Sequence, residues 1–117
     1  MSVLVGDDVA ALRNALKPHV ALYVGGMGAK GKNFYNALVR RYGWEDDAER
    51  IQELYLAGHV REAIAAVPDE LVDAVALVGP KQRIRDRLDA WRETPVTTLL
   101  VGSPQPEALD VLAELVL

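Results

Sequence analysis

Three short apolar runs, each closing on a glycine, constrain this chain more than any other feature. They are SVLV (2–5) before Gly6, AVALVG (74–79) and VTTLLVG (96–102). Each is too short for a core helix and rich in Val and Leu, so each reads as a buried strand. Helix-starting residues follow every time. Asp7 or Asp8 can cap a first helix, Pro80 suits a first helical position, and Ser103 precedes the last helix. Strand, helix, strand, helix with tight joints is the pattern of parallel βα units. The expectation is an α/β fold with strands over about 2–5, 75–78 and 96–101.

The stretch between the first two strands is helical. Leu12, Ala15, Leu16 and Tyr23 share one helical face. Pro18 interrupts it, at a cost of about 3 kcal/mol to an interior helical turn. Two readings stay open on these residues alone. The helix stops at Lys17 and HVALYV forms a strand, or it kinks at Pro18 and runs on to Gly25 and Gly26. KNFYNALVRRYG places Phe34, Leu38 and Arg41/Tyr42 at helical spacing. WEDDAERIQELYLAG does the same with Trp44, Ala48, Ile51 and Tyr55, and both end in glycine. HVREAIAAV and PDELVDA supply two more helices. In the last third, PKQRIRDRLDAWRE turns Ile84, Leu88 and Trp91 toward the core. QPEALDVLAELVL forms a final helix with Leu109, Leu112, Ala113 and Val116 on one side.

The loop GMGAKG (26–31) spells G-x-G-x-x-G, the pattern of a dinucleotide-binding turn, with Glu45, Asp46 and Asp47 roughly where a ribose-binding carboxylate belongs. The pattern carries that chemistry only when a strand precedes it, so its meaning hangs on the Pro18 question.

Composition narrows the classes. The 117 residues suit one domain, and a net charge of −4 offers no field for nucleic acid or an anionic membrane. The absence of cysteine rules out disulfides and thiolate chemistry and suits a cytoplasmic setting. No apolar run approaches a membrane span, and no signal peptide is expected. His19 and His59 have no carboxylate at ligand spacing, so no metal is expected. Asp46, Asp47 and Glu49 read as a charged helix face. So do Arg83, Arg85, Arg87 and Arg92, interleaved with Asp86, Asp89 and Glu93. Trp44, Tyr55 and Trp91 read as core.

VALYVGGMGAKGKNFYN, RIQELYLAG, AAVPDELVDAVALVGPKQRIRDRL and VTTLLVG, in that order, resemble the C-terminal part of the luciferase-like monooxygenase superfamily. The branch is that of oxidoreductases using the deazaflavin coenzyme F420. The resemblance runs from Ser2 to the chain end, and no single motif in it is catalytic. It implies the last three βα units of a TIM (β/α)₈ barrel of roughly 300 residues, with a helical insertion over about 25–74, all within a single partial-barrel domain, 1–117. It implies coenzyme F420, with FMN as the alternative, and hydride transfer to or from a small organic substrate. It implies that YVGG ends a long helix, which removes the mechanism from the G-x-G-x-x-G pattern.

The coenzyme pocket of such enzymes comes mainly from earlier strands, so this chain alone is expected to be inactive, with catalytic and cofactor-binding residues unassigned. The alternative is a partial barrel that self-associates or binds a ligand without chemistry. Either way, bare sheet edges point to a homo-oligomer or to association with an N-terminal barrel portion. Substrate-side or anion-binding candidates are Lys30 and Lys32, on a loop that would form part of a lid over the barrel mouth. Gly79, Lys81, Arg83 and Ser103, at strand ends, complete the set.

Overall fold

The computed structural model describes residues 1–117. The element order is β1 (Ser2–Val5), α1 (Val9–Gly26), α2 (Phe34–Arg41), α3 (Glu45–Leu56), α4 (Val60–Ala65), α5 (Asp69–Val75), β2 (Ala76–Gly79), α6 (Lys81–Arg92) and α7 (Pro106–Val116). Where the sequence reads as one domain over 1–117, the chain packs as two compact units. One joins Met1–Arg13 to Asp73–Leu117; the other is Asn14–Val72.

The first unit holds the sheet. β1 and β2 pair in parallel, with Ser2 opposite Ala76 and Val5 opposite Gly79. Asp8 Oδ1 accepts from Ala11 N at 3.0 Å and starts α1, as a first-turn cap should. The core is Val3, Leu77, Ile84, Leu88, Ala108 and Leu112, with Trp91, Leu99 and Val101 packed at its margin. Strands one and two therefore lie where they are expected, β2 displaced by one residue.

The third strand, expected over 96–101, does not form. Its one ladder element is a parallel bridge between Ser2 and Gly102. Leu100 is 82 % exposed and Val96 47 %. Strand propensity is realised only through cross-strand partners, and this segment lies against one edge for too short a distance to build a ladder. It also lies on the outer side of β1, so β1 sits between β2 and Gly102.

The second unit is helical. α1 is one helix across Pro18, so HVALYV is not a strand. Pro18 and Asn14, whose carbonyl loses its usual donor, are both exposed, where solvent is at hand for the orphaned carbonyl. Buried apolar residues here are Ala21, Val24, Val39, Ala48, Ile51, Ala63, Val67, Leu71 and Val72. α2 turns the polar Asn36 inward. Asn36 and Val39 are buried, whereas Phe34 is 65 % exposed. In α7, likewise, Ala108 and Leu112 turn inward while Leu109 and Val116 stay exposed.

Candidate functional site

In the first unit each strand ends just before a helix starts, but the cations at these joints are engaged. Gly79 closes β2 with φ +124°, and a Cβ there would lie 2.8 Å from Arg83 Cδ. Glycine is thus needed twice, for its dihedral and for the close approach of Arg83. Arg83 Nη1 donates to Val78 O at 2.6 Å and Nη2 to Asp73 Oδ2 at 3.2 Å. Lys81 donates to Glu114 across the start of α6 and the end of α7. Ser103 Oγ accepts from Gln105 N at 3.1 Å, bracing the joint before α7.

Asp73 is the electrostatic centre of this unit, and nothing in the sequence singles it out. Arg13 grips it with two bonds, Nε to Oδ1 at 3.2 Å and Nη2 to Oδ2 at 2.7 Å. Arg87 Nη2 donates to the Asp73 carbonyl at 2.8 Å, and its Nε is buried without a partner. Burial pushes the Asp73 carboxyl up, but the Arg13 hydrogen bonds and the charges of Arg13, Arg83 and Arg87 outweigh it. The carboxyl ends below its ordinary value of 3.8. Two of the arginines read from sequence as solvated surface are therefore structural.

Gln105 was also hidden. Its Oε1 accepts from Val5 N at 2.7 Å and its Nε2 donates to Val5 O at 2.9 Å. The side-chain amide thus takes the place of a neighbouring peptide on the outer edge of β1. The same unit holds an apolar cavity of about 320 Å³ bounded by Leu88, Trp91, Val96, Leu99, Leu112 and Val116.

In the second unit the G-x-G-x-x-G loop follows a helix, so no helix amide is aimed at a pyrophosphate. Its leading glycines serve packing. A Cβ on Gly25 would lie 2.6 Å from Tyr55 Cβ, and one on Gly26 2.6 Å from Tyr55 Cε1. Lys30 lies 3.7 Å from Glu53, both well exposed. Lys32 is exposed on the same loop. Behind the loop, two buried amides tie the helices together. Asn33 Nδ2 donates to Tyr23 O and Val24 O, and its Oδ1 accepts from Asn36 N. Asn36 Nδ2 donates to Val24 O at 3.0 Å and Ala48 O at 2.8 Å. The candidates therefore fall into separate groups, Lys30 and Lys32 in one unit and Gly79, Lys81, Arg83 and Ser103 in the other.

No group of three or more His, Asp or Glu side chains is placed to hold a metal ion. No helix is long and apolar enough to cross a membrane.

Comparison with known proteins gives this arrangement a context. The family model for luciferase-like monooxygenases matches residues 1–98. A protein of Mycobacterium tuberculosis named for coenzyme F420-dependent oxidoreductase activity is 37 % identical over 114 residues. That match covers 97 % of this chain and 33 % of the mycobacterial protein, so this chain spans about a third of its relative's length. No solved structure matches. With a family match over most of its residues and a relative aligned along nearly all of them, the chain belongs to the luciferase-like monooxygenase family.

Proposed function

We propose that this chain supplies the last three βα units of a (β/α)₈ barrel oxidoreductase that uses coenzyme F420. The observation that carries the reading is the 37 % identity to the mycobacterial relative along 97 % of this chain. The parallel β1–β2 pair, with a helix following each strand, supports it. Bound F420 would accept or deliver a hydride at its deazaflavin ring, against a small organic substrate. FMN is the alternative cofactor.

The strand-end cations are poorly placed to hold the coenzyme. An anionic cofactor needs cations with donors to spare, but Arg83 closes on Asp73 and Lys81 on Glu114. No catalytic step is therefore assigned to this chain alone. The part it plays is structural, with the strand ends of the first unit turned toward the substrate side of a complete barrel. The Gly79 to Arg83 joint and Ser103 are the residues proposed to shape that side, and Lys30 and Lys32, on a loop of the second unit, are proposed separately as anion contacts.

The test is a fluorescence titration. Trp44 and Trp91, the two tryptophans, lie one in each unit. With coenzyme F420 or FMN, the chain alone is expected to show no saturable quenching at high micromolar ligand. Mixed with the part of the mycobacterial relative that it does not cover, it is expected to show saturable quenching. If the mixture stays as bright as the chain alone with both cofactors, the oxidoreductase reading fails.

A further inference from the structure

A hollow of about 460 Å³ opens beside the second half of α6, wholly within the sheet unit. α5 supplies Asp73 and Ala74 to its wall. α6 supplies Asp86, Arg87, Ala90 and Trp91, and Thr94 closes the end.

Most charges near this hollow are spent. Asp73 is closed by Arg13 and Arg83, and Arg92 of α6 closes on Asp89. Arg87 and Asp86 are different. Arg87 gives Nη2 to the Asp73 carbonyl at 2.8 Å, and its Nε is buried without a partner. It pairs with no carboxylate, although a guanidinium carries five donors. Asp86 accepts the Gln82 amide on Oδ1 at 2.8 Å and pairs with no cation. Adjacent helix positions do not face each other, so these two charges are held apart rather than neutralised. A cation and an anion therefore line one hollow, each with bonding capacity left.

The rest of the wall is apolar and braced. Trp91 packs against the core of the unit. Thr94 Oγ1 donates to Trp91 O at 2.7 Å and accepts from Val96 N at 3.3 Å, which fixes the end of α6. Ala74 and Ala90 leave room beside the indole.

We infer that this hollow binds a zwitterionic amino acid with an apolar side chain. The carboxylate meets Arg87, the ammonium meets Asp86, and the side chain lies against Trp91. A simple anion would confront the Asp86 carboxylate, and a simple cation the Arg87 guanidinium, so a dipolar molecule matches the wall better than either. The volume is in the range of small-molecule sites. The inference does not draw on the coenzyme reading.

With two tryptophans in the chain, a Trp44→Phe variant leaves Trp91 as the sole indole reporter. L-phenylalanine is expected to change its fluorescence saturably, with a roughly millimolar midpoint. It should bind roughly fivefold more tightly than hydrocinnamate, which lacks the ammonium, or phenethylamine, which lacks the carboxylate. Asp86→Asn should bring L-phenylalanine level with hydrocinnamate, and Arg87→Gln should bring it level with phenethylamine. Arg87 also holds the Asp73 carbonyl. If circular dichroism shows that its variant unfolds, Asp86→Asn, at an exposed position, decides alone. Equal binding of all three probes would make the hollow a plain apolar slot and overturn the inference. So would an unchanged preference in Asp86→Asn, or no saturable change up to the solubility limit of L-phenylalanine.

Discussion

The two units hold their polar groups in different ways. In Asn14–Val72 the organising side chains are neutral amides. Asn33 and Asn36 bond backbone carbonyls and each other, and both are 4 % exposed. In the sheet unit the organiser is an ion, Asp73, held by arginines, and a sheet edge is completed by the Gln105 amide. The helical unit thus leans on buried amides, with Arg40 donating to Asn36 and the Lys17–Asp69 ion pair at its surface. The sheet unit relies on charge and on a side-chain amide that completes a strand edge. The difference teaches where an α/β structure with a two-stranded sheet is vulnerable: helices satisfy their backbone within themselves, while strands need neighbours.

The largest effect should come from the helical unit. Asn36→Ala removes donors to Val24 O and Ala48 O and the acceptor for Arg40 Nε. Buried groups left short of partners cost about 1–3 kcal/mol each, and both carbonyls keep other contacts. A loss of ~3 kcal/mol is expected, read by urea unfolding through Trp44 in a Trp91→Phe background. A loss under about 1 kcal/mol would break the comparison, because the amide network would then not be what organises this unit.

The sheet unit should respond less, and to pH. Asp73→Asn keeps the shape but removes the charge that three arginines surround, for an expected cost of about 2 kcal/mol. Trp91, packed at that unit's core, should report it more strongly than Trp44. Asp73 has a folded pKa below its ordinary 3.8. Its contribution is therefore present above that value and disappears as pH falls through the folded pKa. Acid titration below about pH 4 should loosen the wild-type sheet unit, and this loss should be absent from the Asp73→Asn variant. An unchanged acid profile in the variant would remove Asp73 from the account.

How much of this was legible in the sequence follows from what each feature depends on. β1, β2 and the capping Asp8 were legible because they rest on local composition and on a first-turn hydrogen bond. The path of α1 through Pro18 was not, since exposure decides whether water can replace the missing bond, and exposure belongs to the folded state. VTTLLV has strand propensity, but a ladder needs a partner along its length, which no propensity reports. That Asn36 takes the inward face of α2 was not legible, because it depends on the carbonyls of Val24 and Ala48 that its amide satisfies. Asp73 and Gln105 were invisible for one reason: their partners, Arg13 and Val5, lie 60 and 100 residues away. The family was legible because the order of segments survives in the chain even where no motif does.

The smallest effect sharpens the comparison from the other side. Lys30 and Glu53 lie in the helical unit and form an ion pair, yet at 3.7 Å with side chains 65 % and 59 % exposed. Water screens such a pair, and holding two long side chains together costs entropy. Lys30→Ala should change unfolding by no more than about 0.5 kcal/mol, with little dependence on salt. If the variant instead lost a full ~1.5 kcal/mol and the loss vanished in molar salt, charge would be organising the helical unit too. The distinction between an amide-held unit and an ion-held one would then have to be abandoned.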